Sequence, residues 1–95
     1  MDAVRSPLNF ELIGNFPDPF NSMTNIEFTL QEECIISLEI YDLLGRKITT
    51  LATGLMDAGK HTVAWRTVDV SSGIYYTRMS VNGKAAAVDK MVLLK

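Results

Sequence analysis

Ninety-five residues allow one domain, because two cores would leave each half too small to hold itself together. Hydrophobic residues at 47% and charged residues at 21% argue against intrinsic disorder. A net charge of −2 suits phosphate backbones poorly, which argues against nucleic-acid binding. One Cys and one His leave no room for a disulfide framework or a Cys-rich zinc site. No apolar run approaches the roughly 20 residues of a membrane span. Met1-Asp2-Ala3-Val4-Arg5-Ser6 has neither a basic nor an apolar signal region. If the domain works outside the cell, its N-terminal export signal is expected on a longer parent chain. Residues 1–8 read either as linker or as residues added ahead of the domain, and 9–95 as the domain.

Valine, isoleucine and threonine make up 22 of the 95 residues. Their branched Cβ favours extended backbone. Short runs rich in them alternate with turn signals, which predicts about seven strands. Phe10 to Ile13 is the first, ended by Gly14-Asn15. Pro17 and Pro19 then remove two backbone donors, so Phe16 to Ser22 reads as an extended arm or crossover. Phe16 and Phe20 are expected to anchor it to the core. Met23 to Leu30 puts Ile26, Phe28 and Leu30 on one face. Cys34 to Tyr41 puts Cys34, Ile36, Leu38 and Ile40 inward, and only Ile35 breaks the pattern.

Asp42-Leu43-Leu44-Gly45 is a turn. Arg46 to Leu51 is a short fourth strand with Ile48 as its surest inward residue. Thr53-Gly54 and Asp57-Ala58-Gly59-Lys60 bracket a loop. His61 to Arg66 points Val63 and Trp65 to one side. After the turn cluster Asp69 to Gly73, Tyr75, Thr77, Met79 and Val81 share the inner face, and Arg78 marks the wet one. Asn82-Gly83 is a type I′ hairpin signal. Lys84 to Lys95 contains the helix-favouring Ala85-Ala86-Ala87, but a two-residue turn calls for a return strand, and it is read as one. The sum is an all-β, immunoglobulin-like antiparallel sandwich with Trp65 as its plug and Tyr75 as a tyrosine corner. A small open barrel is the structural alternative.

Chemistry is sparse. His61 sits beside a turn, where a catalytic role has no supporting partner. Cys34 lies at inward parity and behaves as a small hydrophobe. The acids fall mostly in turns, where they bond backbone and stay hydrated. Asp69 with Ser71 and Ser72 is a weak calcium candidate beside that plainer reading. No catalytic, cofactor or metal residues are assigned, and the domain alone is expected not to be an enzyme. Tyr41 and Tyr76, both outward, are the only candidates for sugar stacking.

Five blocks carry a resemblance. They are Leu12 to Leu30, containing Asn15-Phe16-Pro17-Asp18-Pro19-Phe20-Asn21; Leu38 to Arg46, containing Ile40-Tyr41-Asp42-Leu43-Leu44-Gly45-Arg46; Ala58 to Trp65; Ser72-Gly73-Ile74-Tyr75; and Lys90 to Lys95. In this order they resemble the type A C-terminal sorting domain of the type IX (Por) secretion system. Phe16, Asp18 and Ser22 depart from its usual Tyr, Asn and Pro. The framework is similar to the C-terminal module of flagellar hook-capping proteins and to accessory modules of surface enzymes.

The resemblance implies an address label at the C-terminus of a larger cargo protein. The cargo passes through the periplasm. The label is read by the outer-membrane translocon and shuttle proteins, and a sortase-like peptidase removes it. The cargo ends at the cell surface or outside the cell. Recognition candidates are Pro17, Pro19, Phe20 and Asn21 in the arm, Gly73 and Tyr75, and Lys90, Met91, Val92, Leu93, Leu94 and Lys95 in the tail. The arm serves either docking or cover for a sheet edge. Gly73 is expected to supply a φ that the placement of Tyr75 requires, so the Gly73–Tyr75 element is expected to be mainly structural. The tail could pair with a partner's sheet edge. The other readings are a structural immunoglobulin-like accessory module and a carbohydrate-binding module.

Overall fold

The computed structural model describes residues 10–95. The linker assigned to residues 1–8 lies outside them. Seven strands form: β1 (Phe10–Phe16), β2 (Met23–Leu30), β3 (Cys34–Asp42), β4 (Lys47–Met56), β5 (Gly59–Arg66), β6 (Gly73–Val81) and β7 (Lys84–Leu93). They make a three-stranded sheet, β1-β2-β5, and a four-stranded sheet, β4-β3-β6-β7. All strand pairs are antiparallel. There is no helix among the described residues. This is the expected all-β sandwich.

Alternation drives the packing. Ile26, Phe28 and Leu30 face Cys34, Ile36, Leu38 and Ile40 across the sheets, all of them buried. Tyr75, Met79 and Val81 from β6, and Met91 and Leu93 from β7, complete that core. Trp65 is only 4% exposed and plugs one end. The Asn82-Gly83 turn has φ 53° and 73°, as a type I′ hairpin requires. Lys84 to Leu93 returns as a strand despite its alanines. The turn chemistry and the inward Met91 and Leu93 outweigh local helix preference.

Four expectations need correction. β1 does not stop at Ile13; a bulge leaves Ile13 as the extra residue, Gly14 pairs with Glu27, and pairing continues to Phe16↔Asn25. β4 runs through Thr53-Gly54 to Met56, where a loop was expected. Two register shifts in β3–β4 pairing, at Leu38/Glu39 and Ile40/Tyr41, change which side chains point inward. Ile48 is therefore 37% exposed, while Leu51, Ala52 and Met56 pack against the core. Phe16 is 57% exposed, so of the two phenylalanines Phe20 is the one that anchors the arm.

Candidate functional site: an arm laid on the terminal strand

The arm from Pro17 to Ser22 leaves the three-stranded sheet and crosses to the edge of the other one. Phe20 forms a parallel bridge to Leu93. The Phe20 N–H donates to the Val92 carbonyl at 3.0 Å, and the Leu94 N–H donates to the Phe20 carbonyl at 2.8 Å. The Val92 N–H donates to Asp18 Oδ1 at 3.0 Å. The chain then returns to the first sheet as β2.

Sequence dictates this path. Each proline lacks an N–H, so the arm exposes few donors of its own and cannot join a ladder on both sides. The base is fixed by a small polar knot. The Thr24 hydroxyl donates to the Pro17 carbonyl at 2.8 Å, and Asn15 Nδ2 donates to Thr24 Oγ1 at 3.1 Å. At the far end, the Thr67 N–H donates to the Ser22 carbonyl at 3.0 Å.

An aromatic chain holds the arm from beneath. The Phe20 and Trp65 centroids are 5.6 Å apart, and those of Trp65 and Tyr75 are 5.4 Å apart, edge to face. Both spacings fall in the favourable range for tilted ring pairs. The Tyr75 hydroxyl donates to the Ser71 carbonyl at 2.6 Å, the tyrosine corner expected from its position. The Lys95 N–H donates to Ser72 Oγ at 2.8 Å, tying the tail to the turn before β6.

The candidates chosen from sequence meet at one end of the sandwich, with unequal access. Pro17, Pro19, Asn21 and Leu94 are exposed and, with Phe20, line a shallow depression. Lys90 and Lys95 are exposed, and Val92 is half-buried. Met91 and Leu93 lie wholly inside and act as core. Gly73 pairs with Leu93 at a φ of 158°, the border of extended backbone. The free edge expected at the tail is already occupied here, because Phe20 pairs with it. A partner strand would have to displace the arm or pair farther along β7.

Among the contributors that escaped the choice of candidates are Asp18 and Ser72. Each caps a backbone N–H from far along the chain, so no local pattern marks it. The only hint at Asp18 is its setting, a lone acceptor between two prolines.

Within the remaining blocks, local contacts hold turns and strands in place. Asp42 closes its own turn: Oδ1 accepts from the Leu44 and Arg46 N–H groups, each at 2.9 Å, and Oδ2 from Arg46 Nε at 2.8 Å. The Arg46 N–H bond, then the Arg46 guanidinium, hold the carboxyl of Asp42 below its ordinary value. Gly45 in this turn has φ 84°. His61 stacks on Phe28 at 5.3 Å, and its Nε2 lies 2.8 Å from the Asp57 carbonyl, which it meets as a donor. Burial pushes the Cys34 thiol up, the opposite of an activated nucleophile.

The class defined by this geometry is an immunoglobulin-like sandwich with a strapped terminal strand. Solved structures that share the fold include two larger proteins. The alkylpurine DNA glycosylase AlkC of Pseudomonas fluorescens, bound to DNA containing an abasic site analog, aligns with a TM-score of 0.60 at 15% identity. The alignment covers 97% of this chain and 32% of that one. A beta-glucosidase from Listeria innocua, in complex with glucose, aligns with a TM-score of 0.57 at 14% identity, over 96% of this chain and 17% of that one. At such identities the likeness is one of fold. No curated protein matches the chain.

A family model described as a secretion system C-terminal sorting domain matches residues 15–94. The chain belongs to that family, and the domain is a C-terminal sorting signal for type IX secretion. Such a domain is a label and not itself a catalyst. The family implies recognition by the secretion system, attachment to a larger cargo, and export to the cell surface or beyond.

Proposed function

We propose that the surface read by the secretion machinery is the composite of arm and tail, with Pro17, Pro19, Asn21, Lys90, Leu94 and Lys95 as its accessible residues. Phe20, Gly73, Tyr75, Met91, Val92 and Leu93 build and hold it. One observation carries this reading: two motifs more than seventy positions apart are joined by the hydrogen bonds of Phe20 and Asp18 to β7. The outer-membrane translocon and its shuttle proteins meet this surface while the cargo waits in the periplasm. A sortase-like peptidase then separates the cargo from the domain, and the cargo is released or held at the surface. No cofactor takes part. Residues 1–8 serve as the linker to the cargo, and 9–95 as the sorting unit.

The experiment is a fusion of residues 1–95 behind a periplasmic reporter, in a host with the secretion system. Intact fusion exports the reporter. Asn21→Lys with Leu94→Asp alters the surface without touching the core and leaves the reporter in the periplasm. Circular dichroism of the purified variant confirms that it is folded. Undiminished export by this folded variant would overturn the reading.

A further inference from the structure

We propose that the outer face of the four-stranded sheet carries a docking cup for an acidic peptide segment with a single apolar anchor residue. Tyr41 and Tyr76 are register partners on neighbouring strands. One row along, Arg78 pairs with Glu39 on one side and Val88 on the other. The turn after β3 places Leu43 over the end of this group. Leu43 is 62% and Val88 61% exposed, and together with the two tyrosines they wall a cup of about 340 Å³. That volume is near the lower limit for ligand sites and suits one side chain better than a large ligand.

The polar groups around the cup decide what it takes. Both oxygens of Asp42 are already bonded within its turn. The Tyr41 hydroxyl donates to Glu39 Oε1 at 2.9 Å. Glu39 also sits 3.6 Å from Lys47 Nζ and 3.7 Å from Arg78 Nη1. A sugar, which needs several acceptors and donors for its hydroxyls, finds the acceptors Glu39 and Asp42 engaged. What stays on offer is apolar wall and positive charge. Lys47 is the register partner of Tyr41, and Lys90 that of Tyr76. Among the described residues, Arg46, Lys47, Arg78 and Lys90 face the acids Glu39 and Asp42, a local surplus of two positive charges on a chain of net −2. Carboxylates flanking an apolar anchor complement this pattern: the anchor fills the cup, and the charges steer and orient it.

This inference shares only Lys90 with the arm and tail, and its test reads the cup residues, which separates the two. The ¹⁵N-labelled chain is titrated with an acetylated, amidated Asp-Glu-Phe-Asp-Glu peptide and followed by NMR. Shift changes are expected to centre on Tyr41, Leu43, Tyr76, Arg78 and Val88. Arg78→Glu and Val88→Glu, each with an otherwise native spectrum, are expected to weaken binding by about tenfold or more. Raising the salt from about 0.02 M to about 0.5 M is expected to weaken it several-fold. The proposal is overturned by absent or scattered shifts, or by equal binding of peptides with Lys for the acids or Ala for the Phe. Equal shifts from an oligogalacturonate would overturn it in favour of a glycan.

Discussion

Replacing Phe20 with alanine tests whether the arm is part of the folded domain or a removable cover. The ring is 3% exposed and lies 5.6 Å from Trp65. Burying a phenylalanine side chain stabilises by about 1.5–3 kcal/mol. Its tilted pairing with Trp65 adds about 0.5–1.5 kcal/mol, and the cavity left behind brings the expected loss to about 3–5 kcal/mol. A domain of this length has a total stability of only about 5–14 kcal/mol, so the variant should lose a large fraction of it. Urea denaturation reads the loss as a lower midpoint with unchanged slope. Hydrogen exchange at the Leu94 amide, whose acceptor is the Phe20 carbonyl, reads the same event locally. A loss below about 1 kcal/mol with Leu94 still protected would refute the reasoning, because the ring would then contribute nothing to either sheet.

Trp65→Ala is expected to cost about 3–5 kcal/mol in the same denaturation assay, since the indole fills the gap between the sheets. Tyr75→Phe keeps the ring and removes the bond to Ser71, and should lower stability by about 1 kcal/mol. Gly45→Ala should cost about 1–2 kcal/mol from its φ of 84° alone, because open space surrounds the position. The hydroxyl of Tyr41, and then nearby Lys47 and Arg78, hold Glu39 below its ordinary 4.5. A lowered folded value means stabilisation that is fully present above the unfolded pKa and lost as pH falls through the folded one. Denaturation midpoints of wild type and Glu39→Gln should therefore differ at neutral pH and converge under acid. A gap that stays constant with pH would contradict this.

Much of the fold was legible because single-strand patterns carried it. Met23 to Leu30 alternates without a flaw, and the structure buries Ile26, Phe28 and Leu30 as read. Asn82-Gly83 fixed the hairpin even though the alanines of β7 favoured helix. β4 was misread because its inward set depends on two bulges in the pairing with β3. Bulges are properties of a pair, and a single strand's sequence does not display them. The arm shows the same limit from another side. Its prolines announced an extended segment off the sheets, and its motif and the tail motif were each visible. That Phe20 and Leu93 form one bridge was not, because nothing local records a contact across so long a loop. Phe16 and Phe20 looked equivalent in the sequence; the direction of the chain after Pro17 sends one out and the other in.

The bridge between Phe20 and Leu93 also determines when this surface comes into existence. Closing a loop of that length is entropically costly until the intervening strands have assembled. Neither motif as a free peptide would hold the shape, and a chain lacking β7 has nothing for the arm to lie on. The composite face is therefore a certificate of completed folding, displayed only by a domain whose two sheets have closed around Trp65.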